Sequence, residues 1–598
     1  MPRRWRRQAA LVVVGALALV LAACGPSLPN SVVPGSAATV GWSHTLTSTN
    51  TASAAGATAG NKDVAALTRG RFAEKVGGVL EIDESFGSVE VVDREPFTVR
   101  YDLTDPHWSD GIPVDAADLM LAWAAGSDAF APAAADAAKA PTANEAVEAP
   151  EAAISFDSAR SGLAQSNEIP RYDEFGRWID VRFFQPVADW RTALDVAVPA
   201  HVVGARAFDL SDPMEAKQAV LTAIEERDGE ALAAIAQVWN TGFDLRGGDG
   251  NGIAPELLLS SGPYQVAQVD QSRPGAQRVN LVVNPEYTGS PTPEYERIEL
   301  VQSPAAEQLE NLGDTLDVVQ VAPTDDNRER IRDLERRDYG VSYSHDGTLW
   351  VLLLASGRGE LASQEARVAF LRAVPRQEVA AAGAGPWATQ LEETNALLFA
   401  PGTEAYDIAM EDAGFRERFA RSVGEASQAR EAAGVVRGAA VCVLYDTDVP
   451  FARAAFDALR KGVAEAGWDV RDCGDRDVRT TAEHSNAWHA VLTRVPLPVG
   501  PAGIAAQWGT EGRSSLSGGG NQARDRLIEE LARTDDQYVA RDLRVQIEAD
   551  IVKEAVALPL AMNQLVTIAD RDVEGVQPRP GPVASLTSGV VDWSPVQN

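Results

Sequence analysis

Hydrophobic and polar positions change period several times along the 598 residues of this chain. After a basic start at Arg3, Arg4, Arg6 and Arg7, Ala9 to Ala23 is an uninterrupted apolar run. At about 15 residues it falls short of the roughly 20 that a helix needs to cross a bilayer. Residues 25 to 38, GPSLPNSVVPGSAA, lose all periodicity and predict a flexible tether, with folded sequence beginning near Thr39-Val40-Gly41-Trp42. Alternation in Phe97-Thr98-Val99-Arg100-Tyr101 predicts a strand. Turn residues follow, and Asp115 with Asp118 three positions on predicts a capped helix carrying Leu119, Leu121 and Trp123. Ala124 to Ala153 is Ala-rich with scattered Pro and acids, and reads as an insertion, helical in part or disordered. Further on, the apolar AAVCVLY, the helical AFDALRKGVAEAG and the short WDVRDC predict a β-α-β unit.

The basic start, short apolar run and small residues have the layout of an export signal, with residues 1–23 removed from the mature chain. Leu21-Ala22-Ala23-Cys24, followed by Gly25, resembles the bacterial lipobox, which implies lipidation of Cys24 and a lipid anchor on the extracytoplasmic face of the cell membrane. More than one acyl chain makes such an anchor durable, since each buried CH2 contributes about 0.8 kcal/mol. The chain carries 53 basic and 86 acidic residues, and loss of residues 1–23 leaves 49 against 86, a balance of −37. That surface repels nucleic acid and serves solubility. About 575 mature residues, 45% of the composition apolar, can bury two to four domain cores. With Cys24 assigned to lipid, Cys442 and Cys473 remain; they bracket the predicted β-α-β unit, whose neighbouring strands can bring them within bridging distance. A disulfide is the expectation in an oxidising exterior, with two buried thiols as the other reading.

Trp108-Ser109-Asp110-Gly111, with Pro113-Val114 and the Asp115 to Asp118 cap, resembles the signature of the family 5 extracellular solute-binding proteins, the peptide binders of ABC importers. Ser261-Gly262-Pro263-Tyr264 with Leu281 to Tyr287, Arg367-Val368-Ala369 through Arg376, and Ala557-Leu558-Pro559-Leu560 resemble further motifs of that family in the same order. Each also has a local reading as a fold marker: a packed turn, a strand end at Asn284-Pro285, an edge strand at Pro559. The resemblance implies an α/β, two-lobed, type II periplasmic-binding-protein-like fold with a subdomain on lobe I. Lobe I is expected over 39–270, including the insertion 124–153, with a return over 500–598; lobe II is expected over 271–499. Tyr264 is expected in a hinge hairpin.

In peptide-binding relatives an Asp returning from lobe II pairs with the ligand's α-amino group. The corresponding stretch here, Leu492 to Gly500, has no carboxylate, which speaks against an ordinary peptide N-terminus and leaves Arg494 as a candidate for an anionic or hydroxylated ligand. Ser43, His44 and Asn50 follow the first strand, where α/β proteins commonly place ligands. Trp508 in GIAAQWGTEG is a candidate stacking surface, with core packing the alternative, and Trp350 reads as core. No enzyme is expected: the histidines at 44, 107, 201, 345, 484 and 489 form no HExxH, GxSxG is absent, and GGDGNG near residue 247 lacks calcium-loop spacing. No cofactor or metal is expected. The leading function is a monomeric, lipid-anchored solute-binding protein that delivers a small peptide or polar solute to an ABC permease and ATPase by hinge closure. The alternative is the same fold reused as a cell-envelope regulatory lipoprotein, a drift to which Pro375 before Arg376 also points.

Overall fold

A computed structural model describes residues 28–596 apart from 77–78, 131–153, 159–161, 174–175, 247–251, 421, 519 and 580–585. Cys24, most of the Ala-rich insertion and the GGDGNG loop therefore lie outside the described residues.

Ten strands make one mixed sheet. Its order is Trp468–Asp472, Ala439–Tyr445, Ala490–Pro496, Gly340–Leu354, Ala557–Ala569, Val318–Val321, Val33–Trp42, Tyr295–Gln302, Arg278–Val283 and Tyr264–Asp270. Gly340–Leu354 and Ala557–Ala569 are long enough to belong to both halves, and they run antiparallel to each other. Their register shifts between His345 and Leu349, which marks the passage from one half to the other. Four strands over Gly87–Arg182 form a second sheet packed on the first half.

Each half has a core on both faces of its part of the sheet. In lobe I, Ala38, Val40, Trp42, Ile298 and Leu300 join the subdomain core, whereas Val319, Val321, Val566 and Ile568 meet Leu309 and Trp387 on the other face. In lobe II, side chains alternate along one strand. Trp350, Leu352 and Leu354 pack on Phe370, Phe456 and Trp468, and Leu349, Val351 and Leu353 pack on Ile504, Trp508, Ile528 and Leu543.

These pairings move the expected boundaries. Val33–Trp42 pairs in parallel with Tyr295–Gln302, so residues 271–338, expected in lobe II, continue the lobe I sheet. The helices over 500–554, expected back in lobe I, cover the lobe II sheet because their apolar faces meet Leu349 and Val351. Val33 to Ala38, expected in the tether, already belong to the first strand. Tyr264 lies on the outermost strand of lobe I, its hydroxyl donating to Tyr295 O at 3.0 Å, far along the sheet from the crossing strands. Pro559 sits in a central strand, tolerated beside the irregularity between Trp350 and Val351.

The local expectations have visible causes. Asp115 and Asp118 form a reciprocal capping box on the helix Ala116–Gly126. Asp118 also accepts from the Trp108 indole at 3.2 Å and from Ala200 N at 2.8 Å, while Lys217 reaches both carboxylates at 2.9 and 3.0 Å. The Trp108 motif is thus a buried polar joint that fixes the subdomain. Asn284 closes the Tyr264 hairpin by donating to Gly262 O at 2.9 Å. The strand Ala439–Tyr445, helix Pro450–Ala464 and strand Trp468–Asp472 form a parallel β-α-β unit, and Cys442 and Cys473 are disulfide-bonded with Cα atoms 5.7 Å apart.

Candidate functional site: the cavity between the lobes

The two lobes face each other across a cavity of about 620 Å3, within the range of small-molecule sites. Its lobe I wall starts from the hairpin strand Ala73–Val76, the turn Gly162–Gln165 and the loop Val187–Asp195. Gly162 lets that turn approach the loop, since a Cβ there would lie 2.5 Å from Val187 Cγ1. Lys75 pairs with Asp189, and Arg71 with Glu74 at 3.1 Å, so the polar groups of this wall are held in place by one another.

Lobe II contributes the N-terminal half of helix Gly500–Trp508 and one face of helix Gln522–Ala532. Asn521 caps the second helix through Ala523 N and Arg524 N, and Arg524 is clamped by Asp550 and Glu554 at 3.4 and 3.1 Å. Beneath lies helix Gln537–Glu554, which carries Arg544 and Glu548. Glu548 is fully buried and accepts from the amides of Leu397 and Leu398 at 2.8 to 3.1 Å. Burial outweighs those bonds and pushes its carboxyl up to about 7. Burial likewise lowers the pKa of Arg544, against the opposing charges of Glu548 and Asp189.

The lobes touch at the mouth of the cavity. Ala188 N donates to Ala532 O at 3.1 Å, Arg94 meets Asp535 at 2.5 Å, and the Asp189 carboxylate lies over Gly500, where an added Cβ would stand 2.7 Å from Oδ2. Gly500 has φ +77°, a conformation glycine adopts freely. A second hollow, of about 500 Å3, lies on the four-stranded sheet between Arg100, Arg171 and Trp178, but there Asp180 already holds both arginines.

The residues singled out from sequence fall elsewhere. Ser43 is exposed at the end of the first strand and accepts from Gln308 Nε2 at 3.2 Å. His44 bonds Asp63 at 2.8 Å, which raises its pKa, and Asp63 also accepts from the Trp42 indole at 2.7 Å. Asn50 is buried and donates to Trp239 O at 2.6 Å, a loop-fixing role. Arg494 stands beside Trp350 in the ladder, on the face opposite the cavity helices, with its guanidinium over that indole and 3.5 Å from Asp346. Trp508 is buried among Leu349, Ile504 and Ile528 rather than lining the cavity. The stretch Leu492 to Gly500 does lead into the cavity, but through Val499, which no polar-residue search would select. Lys75, Asp189 and Gly500 were likewise invisible in sequence, because their roles arise from contact between distant segments. Among the described residues no group of His, Cys, Asp or Glu is arranged to hold a metal ion, and no helix is long and apolar enough to cross a membrane.

No family model matches the chain. An uncharacterized lipoprotein of Mycobacterium tuberculosis is 28% identical over 391 residues, which make up 63% of this chain and 61% of the relative. The match thus spans about three-fifths of that protein. Among solved structures, the periplasmic EDTA-binding protein EppA superposes with a TM-score of 0.73 at 18% identity, covering 96% of this chain and 98% of that one. The ABC transporter substrate-binding protein CtaP from Listeria monocytogenes gives 0.69 at 13% identity, over 94% and 100%. The oligopeptide-binding protein AppA from Bacillus subtilis, solved with a nonapeptide, gives 0.58 at 10% identity, over 94% and 99%. Two cores on one continuous sheet, two crossing strands and a cavity between them are the fold of the family 5 periplasmic solute-binding proteins, and this chain has that fold.

Proposed function

We propose that this protein is the solute-capturing component of an ABC importer, a binding protein rather than an enzyme. It captures a small peptide or a solute of similar size between its lobes and presents the closed form to a permease and ATPase. Lipidation of Cys24 holds it on the extracytoplasmic face of the membrane. The observation that carries this reading is the cavity enclosed between two lobes that are joined at the back by the crossing strands and Trp387 and at its mouth by a few contacts. A ligand that touches both walls favours the closed state by as much as it prefers that state, and no more. The missing carboxylate in Leu492 to Gly500 favours a ligand that is not gripped by a free α-amino group.

Native mass spectrometry of gently purified mature protein tests the reading. A co-purifying small molecule that departs on unfolding is the expected result. Failure to find or add any small ligand overturns it in favour of a regulatory envelope lipoprotein. Anchoring is tested separately by Cys24→Ser, which should release the protein from the membrane fraction and abolish incorporation of labelled fatty acid.

A further inference from the structure

The two walls of the cavity differ in kind. The lobe II wall is made by Val499, Pro501, Ala502, Ala505, Ile528 and Ala532, with Glu529 its single charged residue. Ala502 and Ala505 are three apart on one helix, and Ile528 and Ala532 four apart on the next, so each pair presents one face. Val499 is 42% exposed and faces the cavity. On lobe I the wall is polar, with Arg71, Glu74, Lys75, Gln165, Gln185 and Thr192. Two of its charged pairs are already matched, Arg71 with Glu74 and Lys75 with Asp189, and the buried Arg69 lies within electrostatic reach of Asp195. Gln185 donates to Gln165 at 3.3 Å, a long bond that a better acceptor can replace. Val187 and Leu194, both buried, carry the apolar surface from lobe II onto the lobe I side.

From this asymmetry we propose that the cavity takes a small amphiphile, with an apolar body lying on lobe II and an uncharged hydrogen-bonding head facing lobe I. The proposal rests on the solute-binding reading above and names the class of solute. A wholly polar molecule shut against the lobe II wall would lose water from that side and find no partner there beyond Glu529. An apolar body loses nothing by that contact and gains from it. A head group with a net charge would meet a wall whose two cations, Arg71 and Lys75, are already paired, so charge contributes little to its selection.

The test is calorimetric titration of the full mature chain with octyl β-glucoside below its micelle concentration, and with methyl β-glucoside as the same head without the chain. Octyl β-glucoside is expected to bind at least 100-fold more tightly. Ala502→Asp, at an exposed helix position, should lower that affinity at least tenfold without moving the melting temperature, and Ala505→Asp serves as a second variant should the first fail to fold. Equal affinity for the two glucosides, no binding of the octyl compound, or binding that both variants leave unchanged would overturn the proposal. The identity of any solute found by native mass spectrometry separates the two levels. A wholly polar co-purified molecule sinks the amphiphile and leaves solute binding standing, whereas a preparation that holds and accepts no solute of any kind sinks both.

Discussion

The back of the molecule and the mouth of the cavity both join lobe I to lobe II, by different means. At the back, two long strands pair from Gly340–Ala569 to Leu353–Ala557, and Trp387 from the lobe II side packs against Tyr343 and donates its indole hydrogen to Thr324 O at 2.8 Å. At the mouth the junction consists of the Ala188 to Ala532 backbone bond, the Arg94–Asp535 pair and the seat of Asp189 over Gly500. Apolar burial and a strand ladder are costly to undo; a few solvent-edge polar contacts are not. The difference teaches where motion is affordable: the mouth can part while the back holds register.

Mutations should break that contrast unequally. Trp387→Ala removes a buried indole that bridges the halves and leaves a cavity, so it should lower unfolding stability by about 3 to 5 kcal/mol in chemical denaturation. Next comes the carboxyl of Glu548, behind the lobe II wall. Its folded pKa of about 7 lies above the unfolded value of 4.5, so the folded chain holds a proton that the unfolded chain has lost. This group's contribution is therefore full below about pH 4.5, falls as pH rises towards 7, and is flat above. The change should amount to up to about 3 kcal/mol, read from denaturation midpoints across that window, and Glu548→Gln should abolish it. If the wild type instead gains stability between pH 5 and 7 and Glu548→Gln leaves that slope intact, the buried-proton account fails.

At the mouth the expected effects are smaller in energy and larger in shape. Gly500→Ala places a side chain at positive φ and a Cβ against the Asp189 carboxylate, disfavouring the closed form by about 1 to 2 kcal/mol. Small-angle scattering should show a larger radius of gyration, with a modest loss of thermal stability from the side chain at positive φ; an unchanged radius would mean that Asp189 does not hold the lobes together. The smallest effect belongs to Arg94→Ala. Arg94 is 73% exposed, so loss of its pair with Asp535 should cost under about 1 kcal/mol and should matter less as salt is added.

Legibility in the sequence followed the range of the interaction. The Asp115–Asp118 cap, the strand at Phe97, the Tyr264 hairpin and the β-α-β unit around Cys442 and Cys473 depend on neighbours within about 30 residues, and their patterns sit openly in the chain. The lobe boundaries depended on pairings such as Val40 with Leu300 and Leu349 with Met562, which no local pattern announces. The candidate site fared worst. Polar residues near expected strand ends, Ser43, His44, Asn50 and Arg494, drew attention for their chemistry, yet each is engaged with its own neighbours. The lobe II wall of the cavity is instead built mainly of alanines, a valine, a proline and an isoleucine, residues whose role depends entirely on what faces them.

By itself the sequence determined the kinds of elements, their caps and turns and the α/β class, because periodicity, capping and turn chemistry act within a few residues. Tertiary structure alone decided which strands cross between the halves, which face of Gly340–Leu354 each helix covers, and that Asp189 comes to rest on Gly500. Those outcomes depend on long-range burial, where a one-residue change of register or face exchanges an entire set of partners.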